Sequence, residues 1–180
     1  VRSIAFDYVS ISYVNGEKVI DDVSFTIRAG ETIAIVGPTG AGKTSLVNLM
    51  VRFYDPDTGA VTFNGTDIRW LKTSDLRAKI AIVTQDPYIF SGSIRNNIFP
   101  RDARVPDAKI HEILKAACCT GFIDKLPHGI DTEMTESGAS LSSGERQLIS
   151  IARALAHDPD FIIFDEATSY VDSETENRIQ

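Results

Sequence analysis

A glycine-rich segment around residue 40 has the residue types and spacing of a loop that binds phosphate. Residues 37–44 fit the pattern G-x-x-x-x-G-K-[ST], and with the next residue they form the predicted phosphate site: Gly37, Pro38, Thr39, Gly40, Ala41, Gly42, Lys43, Thr44 and Ser45. Glycines leave room for backbone N–H groups to approach phosphate oxygens, and the helix that follows points its positive end at them. Lys43 would add a full charge, and the hydroxyl of Thr44 suits Mg²⁺. The alternative is a glycine-rich strand-to-helix turn without a ligand.

Two carboxylates, Asp165 and Glu166, follow directly after an apolar run at residues 161–164. In open α/β sheets the ligand lies outside the carboxyl ends of the strands, where a phosphate-binding loop also points. Asp165 then suits Mg²⁺, which prefers oxygen ligands, and Glu166 can orient or deprotonate an attacking water. The alternative is a pair of exposed carboxylates at a strand end. A phosphate-binding loop in the same chain favours the catalytic interpretation.

The elements that position these residues can be read from hydrophobic periodicity. Residues 4–27 alternate between apolar and polar around Asn15-Gly16, and residues 61–63 run into Asn64-Gly65, so both stretches predict antiparallel hairpins. Short apolar runs predict buried strands at residues 32–36 and 80–83, and a buried strand of the parallel, doubly covered kind at residues 161–164. The helix after the phosphate loop has one apolar face, formed by Leu46, Leu49, Met50 and Phe53.

Between the second and third of these strands the period becomes helical. Two apolar faces are evident, one made of Ile110, Ile113, Leu114 and Ala117, the other of Leu148, Ile151, Ala152 and Leu155. The sequence therefore predicts a single α/β domain. Its core and β subdomain comprise residues 1–85 and 157–180, and a helical subdomain comprises residues 86–156.

Composition narrows the class of protein. The 180 residues are 43% hydrophobic, as in a globular domain, and no apolar run approaches the ~20 residues of a membrane-spanning helix. A net charge of −7 argues against a nucleic-acid partner. The adjacent Cys118 and Cys119 are expected to be reduced thiols on a helix, which favours a cytosolic setting. The start at Val1, with no signal peptide, suggests a domain cut from a longer chain.

Residues 141–147 read Leu-Ser-Ser-Gly-Glu-Arg-Gln and lie between the phosphate loop and the run Phe-Ile-Ile-Phe-Asp-Glu-Ala-Thr-Ser at residues 161–169. With these motifs in this order, the whole chain resembles the nucleotide-binding domain of ABC transporters, whose signature is L-S-G-G-Q. The resemblance implies a P-loop NTPase (RecA-like) core with an antiparallel β subdomain and an inserted helical subdomain. It also implies an ATPase that binds ATP and Mg²⁺.

The resemblance assigns further roles by position. Tyr13 matches the aromatic residue that stacks on adenine, and Asp172 matches the D-loop aspartate. Ser142 and Gly144 of the signature would face the γ-phosphate of ATP on a second, head-to-tail domain. The implied catalytic residues are Lys43, Gln85 of the Q-loop and Glu166, and the implied metal-site residues are Thr44, Gln85 and Asp165. The family's switch histidine would lie beyond Gln180.

Several of these positions have plainer interpretations. Tyr13 lies in a strand pattern, where aromatic residues usually pack, and Phe6 or Tyr8 are rivals for its role. Gln85 is also consistent with simple turn chemistry before Asp-Pro, and Ser169 and Asp172 have the spacing of a helix-capping box.

The signature departs from the family pattern at two positions, because Ser143 replaces a glycine and Glu145 replaces a glutamine. Ser142 and Glu145 have S-x-x-E spacing, so they are also expected to form a capping box that opens a helix. An added carboxylate and an added Cβ would weaken the contact with phosphate. We therefore expect reduced or asymmetric function at the ATP site that uses this signature.

Three segments resemble the exporter branch of the family: residues 85–94, 122–129 and 132–138. This implies a transmembrane domain as partner, normally N-terminal in the same chain, and a place on the cytoplasmic side of a membrane. A second nucleotide-binding domain would complete a homodimer or a heterodimer. Two alternatives remain, a soluble ABC ATPase and a nucleotide-binding regulatory domain with little turnover.

Overall fold

The first part of the chain is a twisted antiparallel sheet. The computed structural model describes residues 2–13, 16–99, 104–135, 140–165 and 174–175. These residues fall into two compact units, residues 1–80 and residues 81–180. The predicted subdomain boundaries at residues 85 and 157 stay a prediction.

The sheet of the first unit has the strand order β2-β1-β3-β4. Its strands are β1 (Ser3–Ser12), β2 (Lys18–Arg28), β3 (Thr58–Phe63) and β4 (Thr66–Asp67). Strand β1 lies in the centre and pairs antiparallel with β2 and β3. Phe6 is buried on β1 and stacks on Phe25 of β2, with ring centroids 4.6 Å apart. The predicted β1–β2 hairpin is therefore confirmed, although Asn15 of its turn lies outside the described residues.

The second predicted hairpin is also confirmed. Strands β3 and β4 pair through Phe63 and Thr66, and Asn64 and Gly65 between them have φ values of 54° and 80°. Positive φ at both central residues is the geometry of a type I′ turn, whose twist matches that of the flanking strands. A 3₁₀ turn at Ile68–Trp70 and the short helix α2 (Thr73–Arg77) follow.

The prediction of a buried strand at residues 32–36 is wrong. Residues 31–38 have no regular secondary structure and join none of the sheets, and Val36 is 87% exposed. An apolar run becomes a buried strand only where other strands satisfy its backbone and cover its faces. Helix α1 (Lys43–Met50) then buries Leu49 and Met50 as predicted, but it ends before Phe53, which is exposed.

The second unit is mostly helical. Its helices are α3 (Ile94–Ile98), α4 (Asp107–Ala116), α5 (Thr120–Ile123) and α6 (Ser143–Ala156), with a 3₁₀ turn at Gly129–Asp131. Two small sheets accompany them. Strand β5 (Ile80–Thr84) pairs with β8 (Phe161–Asp165), and β6 (Gly92–Ser93) pairs antiparallel with β7 (Glu133–Met134).

Helix α6 packs against α3 and α4 in the core of this unit. The predicted apolar face of α4 is confirmed, because Ile110, Ile113 and Leu114 are buried, and so is Ala117 just beyond it. On α6, Ile151 and Ala152 are buried as predicted, while Leu148 and Leu155 are partly buried against the same cluster. These contacts fix the two longest helices of the unit against each other.

Two expectations for this unit need correction. Residues 161–164 form a strand, but Phe164 is 43% exposed and its neighbours are only half-buried, because β8 has one hydrogen-bonded neighbour within the described residues. Cys118 and Cys119 are free thiols as expected, yet they lie in the turn between α4 and α5 and not on a helix. Burial raises the pKa of the Cys119 thiol, which makes it inert.

Among the described residues, no helix has the length and hydropathy needed to cross a membrane.

The β1–β3 pairing depends on Gly59, and this yields a prediction. The register shifts between Asp7 and Ser10, and Gly59 opposite has a φ of 76°. A Cβ there would overlap the backbone carbonyl oxygens of Asp7 and Tyr8. We expect Gly59→Ala to lower the free energy of unfolding by about 2–4 kcal/mol, measured by urea denaturation.

Gly65→Ala is the matched control for this prediction. Gly65 has a φ of 80°, but a Cβ there has no atom within 4 Å, so only backbone strain of about 1 kcal/mol is expected. Equal losses of stability in the two variants would contradict the role of the close approach at Gly59.

Candidate functional site

The phosphate loop leads into α1 without a side-chain cap. Gly42 is the N-cap residue, with a φ of 88° and a ψ of 8°, and the first turn of α1 contains no acidic residue. The first N–H groups of a helix have no partner within the helix, and the helix dipole makes that end positive. The start of α1 is therefore open to an anion.

A side chain at Gly42 would not fit. A Cβ there would lie 2.9 Å from the carbonyl oxygen of Val19 on β2, in a backbone conformation that favours glycine. The close approach of β2 thus requires the last glycine of the motif, and it places the phosphate loop beside the edge strand of the first sheet.

The side chain of Lys43 folds back onto the loop that precedes α1. Its ammonium donates hydrogen bonds to the carbonyl oxygens of Gly37, at 2.8 Å, and Pro38, at 3.0 Å. The N–H of Ala41 also donates to the oxygen of Pro38, at 3.1 Å. These bonds hold the ammonium inside the curve of the loop, where it can exchange carbonyl oxygens for the oxygens of a phosphate.

The other loop residues differ in exposure. Thr39, Gly40, Ala41 and Thr44 are exposed, whereas Ser45 is buried. The exposed hydroxyl of Thr44 can reach a ligand, and Asp165 is half-buried at the end of β8 in the second unit. The described residues contain no cluster of three His, Cys, Asp or Glu side chains that could hold a metal. Mg²⁺ in phosphate sites needs none, since it binds one or two side-chain oxygens together with phosphate oxygens and waters, and the hydroxyl of Thr44 is such an oxygen.

The three candidates for an aromatic stacking residue are distinguished by burial. Phe6 is 3% exposed and its ring is stacked in the core, so it is not available to a ligand. Tyr8 is 65% exposed and lies in the bulge of β1 with a φ of 48°. Tyr13 is half-buried beyond the end of β1 and makes an edge contact with Tyr54, their ring centroids 5.0 Å apart.

Gln85 follows β5 directly and is half-buried. The residue before it is tied to α6, because the side-chain amide of the fully buried Gln147 donates to the carbonyl oxygen of Thr84 at 3.1 Å. Sequence reasoning did not single out Gln147. Its signal is a polar residue on the buried face of a helix, which requires a hydrogen-bond partner.

A second polar link between α6 and this segment involves Arg153, which sequence reasoning also missed. Its guanidinium donates to the backbone oxygen of Asn97 at 2.7 Å, to the Asn97 Oδ1 at 3.0 Å and to the Tyr88 oxygen at 3.0 Å. It also lies over the ring of Phe90, 5.2 Å from the centroid. Burial lowers the pKa of Arg153, and within the described ranges no carboxylate pairs with it.

Asn97 completes this link. Its side chain accepts a hydrogen bond from the N–H of Phe90 at 2.8 Å and donates to the oxygens of Phe90 and Ser93, at 2.9 and 3.1 Å. Residues 88–97 are therefore held on α6 through the buried amide of Asn97 and the half-buried guanidinium of Arg153. The backbone that follows Gln85 therefore has a defined position relative to α6, the helix that begins at the signature.

The predicted capping box at the signature is confirmed. The hydroxyl of Ser142 accepts from the N–H of Glu145 at 3.2 Å, and the Glu145 carboxylate accepts from the N–H and the hydroxyl of Ser142, at 2.8 and 2.9 Å. The carboxylate that departs from the family pattern is thus folded back onto its own helix. Ser143 and Gly144 are half-buried in the first turn.

Some predicted site residues lie outside the described residues. These are Glu166, Ser169 and Asp172, together with residues 136–138 of the exporter-like loop. Of the described ones, the phosphate loop and Tyr13 belong to the first unit, and Gln85, Ser142, Gly144 and Asp165 belong to the second.

Comparison with known proteins gives consistent matches. The family model described as "ABC transporter" matches residues 20–169. A probable multidrug resistance ABC transporter ATP-binding/permease protein of Bacillus subtilis is 47% identical over 98% of this chain and 26% of its own length. An ATP-dependent lipid A-core flippase of Desulfotalea psychrophila is 48% identical over 99% of this chain and 31% of its own length.

Among solved structures, a bacterial Atm1-family ABC exporter with ATP bound superposes with a TM-score of 0.91 at 40% identity, covering 99% of this chain and 31% of that one. The predicted family resemblance and fold class are confirmed. The chain spans less than a third of the length of the relatives that it matches.

The contacts of Arg153 make a prediction about stability. Arg153→Met would remove the guanidinium donors of the backbone oxygens of Tyr88 and Asn97, and we expect a loss of about 2–4 kcal/mol in the free energy of unfolding. Arg153→Lys keeps a charge but not the planar fork, so its loss should be intermediate. Both are measured by urea denaturation.

Arg95→Met is the control. Arg95 pairs with Asp131 on the surface of the same unit, at 2.7 Å, and an exposed ion pair contributes at most about 1 kcal/mol. A loss for Arg153→Met no larger than that for Arg95→Met would refute a special role of the Arg153 guanidinium.

Proposed function

Because this chain belongs to the ABC transporter family, we propose that it is the ATP-binding and hydrolysing domain of a membrane exporter. The observation that carries the proposal is the start of α1, an uncapped helix end with Lys43 held across the carbonyl oxygens of the preceding loop. The matched exporters and flippase support the coupling to export.

In the proposed site, the β- and γ-phosphates of ATP lie on the N–H groups at the start of α1. Lys43 exchanges its bonds to Gly37 and Pro38 for bonds to phosphate oxygens, which carry more negative charge. Tyr13 stacks on the adenine ring. Thr44, Gln85 and Asp165 would hold Mg²⁺, whose charge offsets that of the phosphates.

Glu166 is the proposed general base. It takes a proton from a water whose oxygen attacks the γ-phosphorus, and the bond from that phosphorus to the bridging oxygen of ADP breaks. Gln85 is the second residue proposed to act in catalysis. The hydrogen bond of Gln147 to Thr84 supports this role, because it fixes the backbone directly before Gln85.

The proposed partners are a second nucleotide-binding domain and a transmembrane domain. Two domains would enclose two ATP molecules head-to-tail, each between one phosphate loop and the Ser142 and Gly144 of the other chain, with Asp172 at the contact. Relatives described as ATP-binding/permease proteins, of which this chain matches about a quarter to a third, support a membrane domain in the same full-length chain. In this proposal the domain lies on the cytoplasmic face of a membrane.

The proposed role of Glu166 is tested by removing its carboxylate. In the intact protein we expect Glu166→Gln to slow ATP hydrolysis by about 100-fold or more, because the general base is lost. The same variant should retain ATP through gel filtration in the presence of Mg²⁺, since an enclosed nucleotide is no longer cleaved.

Lys43→Ala serves as the control, and it should retain no ATP. Hydrolysis by Glu166→Gln at the parent rate would show that Glu166 is not the base. A parent protein that binds ATP without hydrolysing it would favour the regulatory alternative.

The effect of the altered signature is tested at Glu145. Glu145 holds a negative charge at a helix start that is proposed to face phosphate. We expect Glu145→Gln to raise ATP turnover about five- to tenfold, which corresponds to the ~1 kcal/mol of one screened charge contact. Glutamine retains the capping-box acceptor, so the unfolding free energy should change little.

Ser143→Gly tests the added Cβ in the same assay, alone and combined with Glu145→Gln. Unchanged turnover in all of these variants would mean that the departures at residues 143 and 145 do not weaken the ATP site.

A further inference from the structure

We propose that Tyr54 and Asp57, in the loop after α1, are positioning residues that hold Tyr13 ready to stack on adenine. This inference rests on the adenine role proposed above for Tyr13. It adds two residues that neither the sequence motifs nor the comparisons assign to the site.

The first contact is between aromatic rings. The rings of Tyr13 and Tyr54 have centroids 5.0 Å apart and planes inclined by 69°, an edge-to-face arrangement that aromatic pairs prefer. In such a pair the edge of one ring contacts one face of the other ring. Whichever role Tyr13 has, the contact with Tyr54 covers at most one face of its ring.

The second contact fixes the backbone directly before Tyr13. The carboxylate of Asp57 accepts a hydrogen bond from the N–H of Ser12 at 2.7 Å, and the N–H of Asp57 donates to the oxygen of Ser10 at 2.9 Å. A bond to a carboxylate is among the stronger backbone contacts. The last residues of β1 are therefore tied to the same loop that contacts the Tyr13 ring.

This loop is itself anchored to α1. The N–H of Phe53 donates to the oxygen of Asn48 at 2.8 Å, and Arg52 forms an ion pair with Asp55 at 2.9 Å. Arg52 also donates to the backbone oxygens of Ile68 and Leu71. Tyr54 lies between these fixed points.

The start of α1 is the proposed phosphate contact, and the loop after its other end supports the proposed adenine contact. A helix of this length spans about 12 Å, so one rigid element sets the spacing between the two. A residue that only stabilised the fold would affect both contacts alike. A residue that positions Tyr13 would affect adenine alone.

The test compares ATP with inorganic tripolyphosphate, which has the phosphates and lacks the base. Binding of each is measured by titration calorimetry with the intact protein. Tyr54→Leu, which keeps apolar bulk without a ring, should weaken ATP binding about two- to tenfold and leave tripolyphosphate binding unchanged. Tyr54→Phe keeps the ring and should bind ATP like the parent.

Asp57 gives a second, independent pair of variants. Asp57→Ala removes the acceptor for the N–H of Ser12 and should also weaken ATP binding selectively. Asp57→Asn retains a side-chain oxygen and should lie between Asp57→Ala and the parent. Equal weakening of ATP and tripolyphosphate by Tyr54→Leu or Asp57→Ala would overturn the proposal in favour of a structural role.

Tyr13→Ala separates the inference from its premise. If Tyr54 acts through Tyr13, Tyr54→Leu should have no further effect on ATP binding in a Tyr13→Ala background. A further loss there would mean that Tyr54 contacts adenine itself, and the positioning role would be rejected. Unchanged ATP binding in Tyr13→Ala alone would instead reject the adenine role of Tyr13.

Discussion

Helix ends leave backbone groups without partners inside the helix, and the functional parts of this chain depend on how those groups are satisfied. At the start of α1, Gly42 offers no side-chain acceptor and no acidic residue follows in the first turn. The ammonium of Lys43 lies within the loop that precedes the same helix end. A positive helix end and a lysine charge at one loop suit a ligand with several anionic oxygens.

The first N–H groups of α6 are satisfied by side chains, unlike those of α1. Ser142 and Glu145 satisfy the N–H groups of one another, and the carboxylate of Glu145 brings a negative charge to the positive end of the helix. An anion that approaches α6 must displace this carboxylate or tolerate it, whereas α1 offers its N–H groups freely. The starts of α1 and α6 therefore differ in their attraction for an anion, because α6 carries a carboxylate in its first turn and α1 carries none.

Local patterns and the buried faces of α4 and α6 could be predicted from the sequence, whereas contacts between distant segments could not. Residues 64 and 65 form the predicted turn, and Ser142 and Glu145 form the predicted cap, because turn and cap chemistry involves only a few neighbouring residues. The strand expected at residues 32–36 is absent, since a strand requires partners from distant parts of the chain. Arg153 was missed because helical periodicity identifies a buried face but not the oxygens that a polar residue on that face will meet.

At the carboxyl end of a helix the last carbonyl groups lack hydrogen-bond donors, and Arg153 supplies such donors to α3. The backbone oxygen of Asn97 belongs to the last turn of α3, where carbonyl groups lack partners and the dipole is negative, and the guanidinium binds it there. Burial lowers the pKa of Arg153, but guanidinium remains charged in proteins. Its charge is balanced by backbone and amide dipoles, which act only while they point at it. The backbone between Tyr88 and Asn97 must therefore keep its conformation while Arg153 makes these contacts, so Arg153 couples the segment after Gln85 to α6.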